Sequence, residues 1–381
     1  MCAVHIKNKK KQKICCFCEQ WESGGIESFL ANVVLHMDLS EFRIEIVAAR
    51  LGKSIFTAPL EEAGVVFHEL QGSTGSLYQN WRLFLRLLRE GNYDVVHLHI
   101  FHGLSLFYGL LAKKEGVAVR IAHSHNTALR KSRSRCLKMA VHRISCLMFA
   151  NAVTHRFACS RQAAEFMFPK WILRKKGFTY IPNGIDTDRF ARDDSVRRQI
   201  RAGMHLDGRL VIGNVGRLCY QKNQKFLLEV FAAVHKSVSQ STLLLVGEGE
   251  DRQLLKVQAE RAGISDAVLF CGTTDQVEKL YWCMDVFVFP SLFEGLGIAV
   301  LEAQASGLPV LCSEHVPEEA FVTDMAKRIF LQRGAEYWAD AVLWAAKKGW
   351  TAEGQQSVRQ AGFDCVPVAE KIRSVYRRDK Y

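Results

Sequence analysis

The chain is short of several things that would each have opened a different reading. Its 381 residues contain seven prolines, too few for a proline-rich linker or a polyproline ligand. No run of about 18 or more apolar residues occurs, so no membrane-spanning helix is expected. No G-x-G-x-x-G opens the first strand–helix unit, which argues against a dinucleotide oxidoreductase. The twelve cysteines lack the Cys/His spacing of a zinc site. They lie scattered through apolar runs, as suits a reducing cytoplasm and not a disulfide scaffold. Cys15, Cys16 and Cys18 cluster, but on the apolar run ICCFC, which reads as a buried strand. That run is too short for a signal peptide despite the basic stretch before it, and Glu19 and Glu22 follow. Acidic residues are in deficit, 39 against 51 lysines and arginines, for a net charge of +12. The excess admits nucleic acid, an anionic membrane face or phosphorylated small molecules. No nucleic-acid motif or basic–aromatic interleaving supports the first, so no nucleic-acid partner is expected.

What is present is alternation. The length suffices for two domains, each with a full core. Segments 13–19, 43–48, 65–69, 94–100 (DVVHLHI), 119–125 (VRIAHSH), 154–160 and 177–186 read as strands, with helices over 26–37 and 77–89. In the second half, strands over 210–215, 241–247, 268–270 and 286–289 alternate with helices over 225–235, 251–262, 275–283 and 298–306. That pattern predicts an α/β chain with parallel, doubly wound sheets. The charged segment 188–209 reads as an interdomain linker with a short helix. A final helix, 368–378, carries Lys371, Arg373, Arg377 and Arg378 at its basic end.

The chemistry concentrates in 286–309, VFVFPSLFEGLGIAVLEAQASGLP. A charge-free strand ends at Pro290 and Ser291, and Glu294, Gly295, Leu296 and Gly297 turn into a helix closed by Gly307 and Pro309. Glu294 therefore stands beyond the carboxyl end of a strand, where open α/β sheets bind ligands. Glu302 follows eight residues later within the helix. Two carboxylates beside free helix N–H groups suit a polyol or an anion, although a capping Glu alone gives the same spacing. Gly24 and Gly25 form a similar turn after the first strand. Arg217 and Lys222 share a loop beyond another strand and can converge on a pyrophosphate. His97 and His99 share one face of their strand. His123 and His125 lie at a strand's carboxyl edge, where the alternative is a histidine satisfied by local backbone. Asp186-Thr187-Asp188 mimics a metal-binding D-x-D. Over 130–149, Leu137, Ala140, Val141, Ile144 and Met148 fall at helical spacing beside Arg133, Arg135, Lys138 and Arg143. Such a basic amphipathic helix suits an anionic membrane face, or else packs as a solvated surface helix.

The strand, FEG turn, small-residue helix and GLPV exit, with GRLxxQKN and NGID, resemble the retaining, nucleotide-sugar-dependent glycosyltransferases of the glycosyltransferase B fold. The chain looks closest to the bacterial capsule and exopolysaccharide branch of family 4. The resemblance runs from Gly24 to about Ala320 and is densest from Ile181 onward. It implies two Rossmann-like doubly wound domains facing across a cleft, an acceptor-side domain over 1–188 and a nucleotide-sugar domain over 189–362. A C-terminal helix, 363–381, would cross back to the first. By the same resemblance Gly24 and Gly25 lie beside the donor diphosphate, which Arg217 and Lys222 grip. The backbone around Gly272, Thr273 and Thr274 receives the base. Glu294, with Gly295, Leu296 and Gly297, holds sugar hydroxyls, and Glu302 holds the ribose diol. A histidine at the fifth strand's end contacts the sugar near the reacting centre; His125 is the first choice, His123 the other, and spacing does not separate them. His99 is a weaker candidate for the acceptor side.

The implied reaction moves a sugar from a nucleotide diphosphate sugar, with UDP expected, to a hydroxyl of a saccharide or polyprenyl-linked acceptor. It would retain configuration, and no metal or other cofactor is expected. D-x-D would belong to the NGID turn. A nucleotide-sugar epimerase of the same fold and a basic nucleic-acid-binding protein are the rivals. The implied place is the cytoplasm, peripheral on the inner face of the membrane.

Overall fold

The computed structural model describes residues 11–70, 76–129 and 134–377. The chain forms two compact units. One runs from Pro182 to Val368 and takes in Ser23–Gly25; the other holds the remaining N-terminal chain and regains it from Ala369. The first unit carries β1 (Gln12–Trp21), β2 (Phe42–Leu51), β3 (Val66–Glu69), β4 (Val95–Ile100), β5 (Val119–Ser124), β6 (His155–Ala158) and β7 (Thr179–Tyr180). The second carries β8 (Leu210–Val215), β9 (Ser241–Val246), β10 (Val268–Gly272), β11 (Val286–Phe289), β12 (Val310–Ser313) and β13 (Ala326–Ile329). Sheet orders are β3-β2-β1-β4-β5-β6-β7 and β10-β9-β8-β11-β12-β13, and the strand pairings between named strands are parallel. Both are doubly wound Rossmann-like orders, whose direction reverses between β1 and β4 and between β8 and β11.

Helices on both faces explain the uninterrupted apolar runs of the central strands. Every residue of β4, β9 and β11 is buried. In the first unit Phe17 packs at 4.1 Å, between ring centroids, on Tyr108 and at 5.5 Å on Phe84. In the second, Leu243, Leu245 and Val288 pack with Leu227, Phe231, Trp338 and Val342. Cys15, Cys16 and Cys18 are buried in β1, as strand core.

Three expectations change. Of 177–186, only Thr179–Tyr180 pairs as strand, because Pro182 offers no N–H to a ladder. Ile185 makes a single bridge to Asp364 instead. The segment read as a linker is fastened along the second unit. Asp193 caps a helix at Asp194–Gly203 by accepting from the Ser195 and Val196 amides. Arg189 pairs with Glu278 at 2.7 Å, and Arg197 and Arg201 reach Asp285 at 2.6 and 3.3 Å. The last helix starts earlier than expected, at Cys365–Tyr376, since Pro367 sits in a first turn that does not need its N–H. Arg378 lies outside the described residues.

Candidate active site

The loops after β8 and β11 meet where the second sheet reverses direction. After β8, Asn223 adopts a left-handed conformation (φ 56°) at the end of a short 3-10 turn, Tyr220–Lys222. The Asn223 carboxamide donates to the Pro290 carbonyl at 3.1 Å, that of Gln221 to the Phe293 carbonyl at 2.9 Å, and the Leu292 amide to Gln221 at 2.8 Å. These bonds hold the lysine loop against the FEG turn. Lys222 Nζ then donates to Glu294 Oε1 at 2.7 Å and lies 4.6 Å from the Phe289 ring centroid. The pair is largely withdrawn from water, with 17% of the lysine side chain and 6% of the glutamate exposed. A cation in a loop is ordinarily expected to stand in solvent; Lys222 does not, because the aromatic floor and the carboxylate enclose it. Arg217 does stand exposed (53%), 3.2 Å from Glu250.

Gly247 follows β9 with φ 129°, and a Cβ there would stand 2.2 Å from the Gly216 carbonyl oxygen. The Gly216 amide donates to Val246 and the Gly247 amide to Gly272, at 2.9 and 2.7 Å. Turns beyond β8, β9 and β10 are thereby tied together, with Gly272 ending β10 and Thr273 exposed after it. Gly295, Leu296 and Gly297 are buried beyond β11, and Gly297 at φ 93° begins the helix Ile298–Ala305. Glu302 lies in that helix and accepts from the Tyr281 hydroxyl at 2.8 Å. Burial raises its pKa to about 6, against the lowering effects of Tyr281 and the Arg189 charge. Tyr281 was not singled out from the sequence, because its partner stands 21 positions away with no local signal joining them.

The Asp186–Asp188 carboxylates serve the second unit itself. Asp186 accepts from the Asp188 and Arg189 amides at 3.1 Å, and Asp188 from Arg359 at 2.6 Å. Gly24 and Gly25 follow β1, and Gly25 begins the helix Gly25–Leu35.

In the first unit, β4 and β5 set four imidazoles side by side. His99 and His123 are register partners. His97 Nε2 lies 3.3 Å from His123 Nδ1, and His99 Nδ1 lies 3.0 Å from His125 Nε2. Tyr376 of the final helix places its hydroxyl 2.7 Å from His97 Nδ1. Burial, followed by the charges of neighbouring histidines, pushes His97 down to about 3 and holds His99 and His123 well below the ordinary imidazole value. All three are neutral near pH 7. Nearby, the Ser105 hydroxyl donates to the Glu19 carboxylate, and His102 pairs with Glu19 at 3.2 Å. This cluster was missed, since Glu19 and Ser105 stand 86 positions apart. The helix expected over 130–149 is described from Arg135–Phe149; Arg133 lies outside the described residues. Its inward face is His142, Ser145 and Cys146, while Leu137, Ile144 and Met148 are 68%, 56% and 66% exposed.

Family comparison meets this geometry from both sides. Residues 23–189 match the model described as Glycosyltransferase Family 4, and residues 196–362 match Glycosyl transferases group 1. The chain belongs to the family 4 glycosyltransferases. The enzyme is 29% identical to EpsF of Bacillus subtilis over 97% of each chain. It is 27% identical to the UDP-Gal:α-D-GlcNAc-diphosphoundecaprenol α-1,3-galactosyltransferase of Escherichia coli, over 60% of this chain and 59% of that one. Among solved structures, HepE of Anabaena, crystallised with UDP and glucose, superposes with a TM-score of 0.78 at 18% identity, covering 96% of this chain and 99% of its own. WaaG, a glycosyltransferase of lipopolysaccharide biosynthesis, gives 0.71 at 14% identity over 95% and 99%. The glycosyltransferase thus has the glycosyltransferase B fold. No helix among its described residues is long and apolar enough to cross a membrane.

Proposed function

We propose that this glycosyltransferase moves a sugar from a UDP-sugar to a hydroxyl of a lipid-linked saccharide, in the assembly of a surface polysaccharide or glycolipid. The observation that carries the reading is the enclosed Lys222–Glu294 pair at the point where the second sheet reverses. A cation and a carboxylate so joined match the two neighbouring parts of a sugar diphosphate, its phosphate oxygens and its hydroxyls. Arg217, exposed in the same loop, supplies a second cation. The acceptor oxygen attacks the anomeric carbon as the bond to the diphosphate oxygen breaks. The departing diphosphate takes the acceptor proton, and Arg217 and Lys222 stabilise its growing charge without a metal at that position. Departure and attack on one face retain configuration. Glu302 receives the ribose diol, the Gly272–Thr273 backbone the base, and His125 or His123 the sugar.

UDP is supported by the Escherichia coli relative, whose name gives UDP-Gal and a diphosphoundecaprenol-linked acceptor. Mycobacterial relatives named for GDP-mannose supply the competing donor. The exposed Leu137, Ile144 and Met148, on a helix that also carries Arg135, Lys138 and Arg143, fit the face of an anionic bilayer. That would place the enzyme on the inner face of the membrane.

A panel of UDP- and GDP-sugars tests the reading by thermal shift, since a ligand at 100 times its Kd adds about 2.7 kcal/mol to the native state. Stabilisation by a UDP-sugar and UDP release only when acceptor is present are expected. Stabilisation by GDP-sugars alone would overturn the donor, and sugar conversion without acceptor would restore the epimerase. Loss of activity in chelator would contradict the metal-free diphosphate. Failure to sediment with anionic vesicles would remove the membrane contact.

A further inference from the structure

Each sheet splits where its order reverses. β8 stays paired with β9 to Val215–Val246 but leaves β11 after Gly213–Phe287, and Lys222 and Glu294 stand beyond that gap. β1 stays paired with β2 to Trp21–Leu51 but leaves β4 after Phe17–Leu98, while β4 keeps to β5 as far as Ile100–Ser124. At this second gap lie Glu19, His102 and Ser105, none of which the departing diphosphate needs. A crevice at the carboxyl ends of parting strands is where open α/β sheets take ligands. We propose that Glu19 receives a hydroxyl of a saccharide there, through its Oε2 atom, and that this saccharide is the acceptor. The crevice and its hydroxyl chemistry stand on the first unit alone; the saccharide's role as acceptor rests on the transferase reading.

The cluster is built to hold one oxygen ready. Ser105 is buried; its hydroxyl donates to Glu19 Oε1 and lies 3.3 Å from His102 Nδ1. His102 Nε2 lies 3.2 Å from the same Oε1. Burial would raise the pKa of Glu19 and lower that of His102, but their mutual contact outweighs it in both. A protonated His102 then donates from both nitrogens, to Ser105 and to Glu19. Both bonds to the carboxylate fall on Oε1, and 28% of the Glu19 side chain remains exposed. The oxygen that is left, Oε2, accepts and cannot donate. It therefore repels a phosphate and asks for an O–H or N–H group. His102 balances the carboxylate's charge, which removes the advantage of an ammonium over a neutral hydroxyl. Gripped from one side by two donors, the carboxylate is fixed before the saccharide arrives, so little ordering opposes binding.

Octyl glycosides of glucose, galactose, mannose and N-acetylglucosamine, offered without donor, test this by saturation-transfer NMR. At least one should bind the wild type saturably, and the UDP-sugar that stabilises the enzyme should not displace it. One monodeoxy analogue of that glycoside should bind about tenfold or more weakly, as loss of a hydrogen bond to a charged group does. In Glu19→Gln, checked by thermal denaturation, the parent glycoside should weaken and the deoxy penalty shrink, a coupling that a merely structural Glu19 would not produce. Absence of saturable binding to the wild type, or an unchanged deoxy penalty in Glu19→Gln, would overturn the site. Displacement by the UDP-sugar would overturn the acceptor and give the crevice to the donor's own sugar. If no UDP- or GDP-sugar stabilised an enzyme that showed the Glu19-dependent penalty, the transferase reading would fail and the Glu19 contact would stand. Should Glu19→Gln unfold, a crystal structure of the wild type with the glycoside decides. A sugar oxygen about 3 Å from Glu19 Oε2 is required, and a saccharide seated elsewhere refutes the proposal.

Discussion

At the carboxyl ends of its central strands, the second unit places a charged pair, Lys222 and Glu294, whereas the first places imidazoles kept neutral by burial. The strand order is shared apart from the extra edge strand β7, but the pair stands beyond β8 and β11, whereas the imidazoles lie one strand over, on and just after β4 and β5. The two sites also differ in how each stays charged or neutral. Lys222 and Glu294 each lose water and recover it as one short ion pair, with loops fastened by Gln221 and Asn223. The histidines instead meet one another, with the Tyr376 hydroxyl on His97 and the Phe29 ring against His99, His123 and His125. A charge is retained in the core of one unit because its partner is built in; in the other, shedding the proton is cheaper than keeping it.

The largest expected effect breaks the charged pair. Lys222→Ala should lower kcat by a factor of about 10²–10³, or about 2.7–4 kcal/mol, as loss of one preorganised donor does elsewhere. It should also destabilise the fold, because Glu294 would be left buried and unpaired. Arg217→Ala should cut turnover in the same direction yet leave the melting temperature near wild type, since its side chain is half in water. Steady-state kinetics beside thermal denaturation separate the two. Equal melting temperatures for both variants would remove the distinction drawn between the enclosed and the exposed cation.

A smaller effect concerns Glu302. Its folded pKa, raised by burial to about 6 from the ordinary 4.5, means the native state holds its proton longer than the unfolded chain. Stability from this group is present below 4.5 and is lost as pH rises through 6, by on the order of 2 kcal/mol. Glu302→Gln should remove that slope and stabilise the protein at pH 7, because Tyr281 can still donate to the amide oxygen. It should weaken nucleotide-sugar binding at the same time. Denaturation at pH 4.5 and 7 checks the first half, and a variant slope equal to wild type would refute it.

The first unit should respond on either side of that window. Burial alone would raise Glu19, but hydrogen bonds from His102 and Ser105 outweigh it and lower its pKa; the same carboxylate outweighs burial to raise His102. The Glu19 contribution is present above 4.5 and lost as pH falls through the lowered value. That of His102 is present below 6.5 and lost as pH rises through the raised one. The pair therefore stabilises between these limits. His102→Gln should flatten the alkaline loss, which denaturation above pH 6.5 measures; a persisting slope would assign it to another group.

Much of the sheet was legible because buried parallel strands write themselves as charge-free runs: 210–215 and 286–289 are Leu210–Val215 and Val286–Phe289. The glycine turns after β1 and β11 were legible for the same local reason. β12 and β13, each four residues long, gave no comparable run. The outward apolar stripe of the helix Arg135–Phe149 could be read as periodicity but not as direction, because inside and outside depend on His142 and Cys146 meeting Gly103. In 188–209 the high charge suggested solvent, whereas Arg189, Arg197 and Arg201 spend theirs on carboxylates 84 or more positions away. Pairs such as Tyr281–Glu302 are invisible along the chain for that reason. Local pattern names the strand ends; only folding says which side chains share them.

The finest comparison sets two helix caps against each other. In the first unit Ser160 accepts from the Ala163 amide at 3.1 Å, wholly buried at the start of Arg161–Met167. In the second, Asp193 accepts from Ser195 and Val196 at 2.8 and 3.0 Å in the open. Ser160→Ala should cost about 1 kcal/mol at every pH, because a hydroxyl cap does not titrate. Bonds from the Ser195 side chain and the Val196 amide lower the Asp193 pKa. Its contribution is therefore present above the unfolded value of 3.8 and is lost as pH falls through the lowered one. Asp193→Asn should destabilise less than Asp193→Ala and remove that acid-side loss. Denaturation of the three variants at pH 7 and near pH 3 distinguishes them. A Ser160→Ala cost that varied with pH would mean that a titrating neighbour, and not the hydroxyl, holds that helix start.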